Sequence, residues 1–368
     1  IQWVDIYKGI AIILVVIGHS SSPINGYIYL FHMPAFFFIS GYTNTFSNTG
    51  FGKFLWKKTR SLLFPFFSSN ILFLIILQLM RITSVYDYFY NIPFNILLYL
   101  KLLVINLRTT DFGGATWFLI ILFETMIVAY ILYNIIYIYG KQFIDIAIVL
   151  IMYITGYYLY HNRIIFPYLF DLVFYSLFYL YIGNIIITYK ITIPRILHII
   201  LIPFTCFMLF YYMNNYSIAQ MNWPARQFGS PINNIVASLS GIYLTVVMSI
   251  LLEKVELLKH LLIYIGNRTI IILILHFLIF RIIYVLMFFT GIVGLDQLKS
   301  QILLPGNNYW YILTIFSILI ILLLDYFIQK SDFLAFFLLG RKTPEYEKKI
   351  KNILAGIFRL RYKTGRNK

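Results

Sequence analysis

Apolar runs of membrane-spanning length follow one another along almost the whole chain, and this constrains the fold more than any other feature. A hydrocarbon core of ~30 Å takes ~20 mostly apolar residues per helical crossing. Runs bounded by polar or Gly/Pro breaks lie near 6–24, 27–46, 62–80, 115–138, 142–160, 166–188, 192–213, 232–252, 263–290 and 309–329. Only 11% of the 368 residues are charged and 61% are hydrophobic, too little charge to solvate a soluble surface. The 35 Phe, 32 Tyr and 5 Trp suit lipid-facing helices with interfacial belts. The expectation is an all-α, polytopic integral membrane protein of about ten transmembrane helices.

Charge placement orients the bundle. With the N-terminus inside, twenty-one Lys and Arg fall on the inner side and six on the outer, counting Arg81, Lys101, Arg108, Arg163, Arg226 and Lys299 as outer. Lysine and arginine are retained on the cytoplasmic face, so ten spans with both termini cytoplasmic follow. The stretch 92–108 carries Lys101 and Arg108 and reads as an interfacial or re-entrant helix. Residues 214–231 read as a polar loop rich in turn formers. The expected organisation is a membrane bundle over 1–340 and a short basic cytoplasmic tail over 341–368, lying on anionic lipid. Trp3 and Asp5 at the start do not resemble a cleavable signal peptide. Abundant Ile, Tyr, Asn and Lys, with the inward basic loops, point to the inner membrane of a bacterium.

Several function classes drop out. The net charge is +16, but no basic domain stands apart from the apolar runs, so nucleic acid is not an expected partner. A single cysteine, Cys206, makes neither a disulfide framework nor a thiolate metal cluster. Without a Walker motif, redox ligands or metal-spaced His/Asp, phosphoryl transfer, electron transfer and metallohydrolysis are set aside, and no metal is expected. Any chemistry belongs inside the helices.

Ionisable residues within spans are costly and therefore mark candidate sites. In WVDIYKGIAIILVVIGHSSS, Lys8 to His19 is eleven steps, which at ~100° per residue returns to within about 20° of one direction. Asp5 falls on the same face. His19 stands ~16 Å along the axis from Lys8. A cation at the inner mouth with an imidazole deep inside fits a long anionic molecule entering from the cytoplasm. A snorkelling lysine and a histidine bonded to a neighbouring helix fit this one helix equally well. His32 and Pro34 mark the second run, Pro34 freeing a carbonyl beside protein or a wet cavity. Trp117 and Glu124 share a face of the fourth, where Trp117 alone would be an interfacial anchor. Asp171 and His276 lie within the sixth and ninth. At ~1.5 Å per residue, His19, Glu124, Asp171 and His276 share the middle to outer half of the bilayer, with His32 close by. A polar cavity is the expectation, against a set of merely structural hydrogen bonds. There a histidine acts as a general base or acyl nucleophile, oriented by a nearby carboxylate.

Three segments, W-x-D-x-x-K-G-I-A-I-I-L-V-V-I-G-H, F-H-M-P-A-F-F-F-I-S-G-Y and KKTRSLLFPFF, together resemble the membrane acyltransferase family 3. The likeness is greatest to the branch of fucose 4-O-acetylase and related acetyltransferases. TWFL at 116–119, FYLYIGN at 178–184 and IGNRTIIILILH at 265–276 agree with it. The family's hallmark is Arg, ten residues, then His; here Lys8 takes the arginine's place before His19. Lysine keeps the charge and loses the planar fork that grips phosphate in two places. The resemblance implies transfer of an acetyl group from acetyl-CoA to a hydroxyl of a cell-surface or lipid-linked carbohydrate. It makes His19 the base or acyl carrier with Glu124 beside it. Lys8, Arg60, Asp5 and Trp117 would hold the donor, with Asp5 pairing Lys8. His32, Asp171 and His276 would line the acceptor side. Two alternatives stay open: a transporter or flippase of a polyprenyl-linked sugar, and a succinyltransferase of the same family.

Overall fold

The computed structural model describes residues 1–44, 46, 50–90, 94–139, 142–215, 221–294 and 309–340, without the side chains of 135–139 and 142–145. The expected basic tail, 341–368, lies outside them, as do Lys141 and Lys299. The described chain is almost wholly helical: α1 Gln2–His19, α2 Asn25–Tyr29, α3 His32–Thr43, α4 Phe51–Lys58, α5 Phe64–Ile82, α6 Ile96–Asn106, α7 Trp117–Tyr139 and α8 Gln142–His161. It continues with α9 Val173–Thr188, α10 His198–Asn214, α11 Pro231–Leu252, α12 Glu256–Gly266, α13 Thr269–Phe289, α14 Trp310–Ile328 and α15 Asp332–Leu339. Eight helical stretches among the described residues are long and apolar enough to cross a membrane.

Differences from the ten expected runs have local causes. The second run is two short helices, α2 and α3, broken at Leu30 and Phe31. Pro34 falls in the first turn of α3, where a missing N–H removes no intrahelical bond, so it opens a helix rather than freeing a carbonyl within one. The fifth run is the helix α8, twenty residues long. The ninth begins later than expected, because Asn267 and Arg268 break α12 from α13. Between α4 and α5 the residues Thr59–Leu63 form a turn of π-helix just ahead of Pro65. A proline lacks the N–H that closes an α-turn, and the wider turn absorbs the mismatch without ending the helix. The 92–108 stretch contains α6, eleven residues capped by the Asn95 side chain, with Leu97, Leu98, Val104 and Ile105 facing outward. The 214–231 segment is more ordered than a loop. Met221–Asn222 (β1) and Gln227–Phe228 (β2) pair as a small antiparallel hairpin, and Trp223 beneath it is 1% exposed.

Helix α1 lies at the centre, packed by α2, α3, α11, α12, α13 and α14. Two close crossings fix its surroundings. On α3 and α9, a Cβ at Gly41 would lie 1.8 Å from the Leu180 carbonyl oxygen, and one at Gly183 would lie 2.0 Å from that of Phe38. On α1 and α12, Gly9 and Gly266 face the Leu262 and Asp5 carbonyls in the same reciprocal way. Apolar side chains gain nothing from meeting each other rather than lipid, so such backbone-to-backbone approach supplies much of the association. Helix α10 sits at the periphery, with Ile199, Ile200, Phe207 and Phe210 facing outward. The buried core runs between α1, α3, α7, α9 and α13.

Candidate active site

Three histidines from three helices meet beside the C-terminal end of α1. His19 ends α1, His32 begins α3, and His276 lies in the middle of α13. The ring of His19 stacks on that of His276, centroids 5.4 Å apart at 27°. It meets His32 edge-on at 6.4 Å and Phe277 at 4.9 Å. The sequence placed these histidines at similar depth; the fold brings them into contact. His32 is 5% exposed, His276 is fully buried, and His19 is half-buried.

Hydrogen bonds sort the ring nitrogens. Nδ1 of His32 donates to the Ile28 carbonyl at 3.0 Å, and Nδ1 of His276 to that of Ile272 at 3.0 Å. A carbonyl oxygen only accepts, so in the neutral rings both Nδ1 atoms carry the proton and both Nε2 atoms keep a lone pair. Nε2 of His276 is buried and has no partner among the described residues. A buried acceptor left unpaired is costly, which marks it as a place for a ligand's donor. His19 differs: its Nδ1 shares a hydrogen bond of 3.0 Å with the hydroxyl of Tyr29.

Tyr29 escaped the sequence reading. It sits at the end of the five-residue α2, and only the break at Leu30 and Phe31 turns its ring back onto α1. A span read as one continuous helix hides that. The YIYLFH order held the clue, since a tyrosine three residues before a histidine shares a helical face with it.

Lys8 stands below the histidines. Its Nζ donates to Oδ1 of Asp5 at 3.1 Å, and both side chains are about one-third exposed. The ammonium lies at a cleft of about 140 Å³ lined by Ile12, Phe36, Ser40, Leu119, Ile270 and Leu273 among others. Part of the wall comes from the helices that carry the histidines, Leu273 one turn from His276 and Phe36 one turn from His32; Leu119 comes from α7 and Leu62 from the π-turn. Lys8, Ile12 and His19 therefore look toward the same flank, α13, as the periodicity of α1 predicts.

Other expected site residues stand apart. The rings and hydrogen-bonding groups around His19 are Tyr29, His32, His276 and Phe277; Glu124 is not one of them. Glu124, on α7, lies within electrostatic reach of Asp171, and its Oε2 is buried with no partner among the described residues. Asp171 is gripped by Arg226, whose Nε donates to Oδ2 at 2.7 Å and whose Nη2 donates to Oδ1 at 3.1 Å. That pair ties the hairpin to the start of α9, at a separate pocket of about 330 Å³ that also holds Tyr160, Arg163 and Tyr175. Arg60 donates from Nε to the Gly340 carbonyl and lies over the Phe336 ring, clasping α15 to the π-turn. Trp117 begins α7, half-buried against the core. The fold thus brings Asp5 and Lys8 together and His19, His32 and His276 together, and places Glu124 with Asp171, while Arg60 and Trp117 lie close in sequence to Leu62 and Phe118 of the Lys8 cleft.

A charged residue lining a cleft, with buried nitrogen bases a turn further along two of the helices that wall it, suits group transfer from a long anionic donor. The model of an acyltransferase domain family matches residues 1–327. The chain belongs to membrane acyltransferase family 3. Neither the curated proteins nor the solved structures provide a match. The match covers every helix described above except α15, so the central α1, the three-histidine contact and the Lys8 cleft all belong to this acyltransferase domain. The protein is a multi-pass membrane acyltransferase.

Proposed function

We propose that this acyltransferase moves an acetyl group from cytoplasmic acetyl-CoA to a hydroxyl of a carbohydrate, with His19 as the general base. The observation that carries this reading is the placement of His19 among His32, His276 and Tyr29, on the same helix as Lys8, which lines a cleft walled in part by the helices of His32 and His276. The cleft has room for a narrow chain and not for a nucleotide. The pantetheine arm of CoA would enter it while the nucleotide and its phosphates stayed at the inner surface, near Lys8 and the basic side chains of α4. Lys53 and Lys57 are exposed there.

In the transfer itself, Nε2 of His19 takes the proton of the acceptor hydroxyl as its oxygen attacks the thioester carbonyl carbon. The C–S bond breaks, CoA leaves as thiolate, and the imidazolium returns the proton to it. Nε2 of His276 keeps a lone pair that accepts from a second hydroxyl of the acceptor, since the one proton of the reacting hydroxyl goes to His19. The residues fit acyl-CoA as a substrate, and no step calls for a metal. The same reading places both termini and the basic loops in the cytoplasm, with ten crossings of a bacterial inner membrane. The acceptor is then a cell-surface or lipid-linked carbohydrate reached from the outer side.

The test uses purified protein in detergent, wild type and His19→Ala, given acetyl-CoA with and without candidate glycans and followed by release of free CoA. The expected result is release by wild type only, with equal binding of acetyl-CoA by both. If neither protein binds or consumes acetyl-CoA, the donor assignment fails and succinyl-CoA becomes the next donor to try.

A further inference from the structure

We infer that Tyr29 is the positioning residue of His19: its phenol oxygen accepts the Nδ1 proton of that ring and so presents Nε2, with its lone pair, to the reacting hydroxyl. This rests on the acyl-transfer reading above. A histidine base needs a partner on its other nitrogen, because a ring free to exchange tautomers spends part of its time with the proton on the working atom. Acidic side chains commonly fill that role, and Glu124 was the carboxylate expected to do so. Around His19 the structure places a phenol at 3.0 Å from Nδ1 instead.

The surroundings favour this direction of the hydrogen bond. His32 and His276 both have Nδ1 against a backbone carbonyl, so both rings hold the proton on Nδ1 and a lone pair on Nε2. With Tyr29 accepting, all three imidazoles share one tautomer. A neutral orienting group also suits a dry site. A phenol orients the ring without placing a second charge in that buried setting.

Tyr29 is held in place by a device built into the break between α2 and α3. The side chain of His32 reaches across the break to the Ile28 carbonyl, the residue just before Tyr29. The two rings then pack edge-on at 4.9 Å, and the phenol meets His19 at 5.8 Å and 84°. His32 therefore acts through Tyr29, and Tyr29 through His19.

The experiment uses the full chain in detergent with acetyl-CoA as the probe, comparing wild type with Tyr29→Phe, which keeps the ring packing. With Tyr29→Phe, kcat for CoA release should fall about a hundredfold while KM for acetyl-CoA stays within about twofold and the melting temperature is unchanged. Nitrogen-15 spectra of labelled histidines, with His19 assigned by its loss in His19→Ala, should show the Nδ1–H form in wild type and a tautomer mixture in Tyr29→Phe. An Nε2–H form of His19 in wild type overturns the inference, and that reading needs no variant at position 29 to fold. Wild-type kcat in Tyr29→Phe also overturns it. A wild type that releases no CoA removes the acyl-transfer reading instead, and the spectra still decide whether the phenol sets the tautomer.

Discussion

His276 is buried where a neutral imidazole is expensive unless its polar atoms find partners, yet its Nε2 has none among the described residues. Replacing it with Phe keeps a ring of similar shape against His19 and Phe280 and removes that lone pair. His276→Phe is expected to fold, to bind acetyl-CoA as wild type does, and to lose about tenfold or more in kcat/KM for the acceptor, the loss of one hydrogen bond to the acceptor. Steady-state kinetics with acceptor varied check this; an unchanged acceptor kcat/KM removes His276 from the acceptor site. Lys8 makes a second residue-scale case. Its charge was legible in the sequence, and so was Asp5 as its partner, because both lie on one face of α1 and the helical period needs no tertiary knowledge. Lys8→Ala should raise KM for acetyl-CoA roughly tenfold, and Lys8→Arg should restore it, since a guanidinium grips phosphate in two places. Equal KM values in all three proteins would separate Lys8 from the donor. Arg60 was not legible in this way. Its engagement with Gly340 depends on a contact 280 residues away in sequence, and no local pattern announces it.

At the scale of elements, the helix pairs that define the site meet through backbone contact. Gly183→Ala would place a methyl group 2.0 Å from the Phe38 carbonyl oxygen, which is backbone and cannot rotate aside. The cost should be about 1–3 kcal/mol, seen as a lower melting temperature in detergent. A variant as stable as wild type would mean that α3 and α9 separate freely. The hairpin offers a contrasting test. Asp171 is 6% exposed and held bidentately by Arg226, so Arg226→Leu leaves a carboxylate unpaired in a dry setting and should cost about 3 kcal/mol. Replacing both, Asp171→Leu with Arg226→Leu, should recover part of that loss. Unfolding measurements on the two variants distinguish an ion pair that holds the hairpin from one that contributes nothing. Sequence reading took 214–231 as a loop because its polar and turn residues dominate the local pattern. Trp223 was the countersign, since a tryptophan in a polar stretch has a large apolar surface to bury, and it fills the space beside Phe37 and Tyr175.

The whole molecule is a helical membrane bundle around α1, and its sidedness is open to direct test. Cys206 is the only cysteine, so Cys206→Ser gives a background for single-cysteine labelling. With a membrane-impermeant maleimide on intact cells, Thr83→Cys at the end of α5 should react and Gly52→Cys at the start of α4 should not; both positions are exposed. The reverse pattern would invert the bundle and put Lys8 on the wrong side for a cytoplasmic donor. The sequence by itself determined that this chain is a multi-pass helical membrane protein, because a bilayer leaves an apolar segment few other ways to satisfy its backbone. It also determined the alignment of Lys8 with His19, a property of one helix. The tertiary structure decided which ionisable groups meet. Depth along a span is readable from residue counts, but rotation and lateral neighbours are not, so Glu124 and Asp171 at the depth of His19 still belong to other surroundings. It decided, too, that the partner of His19 is the phenol of Tyr29, because a break of two residues turns that ring inward and only the packing of α1, α3 and α13 shows where it points.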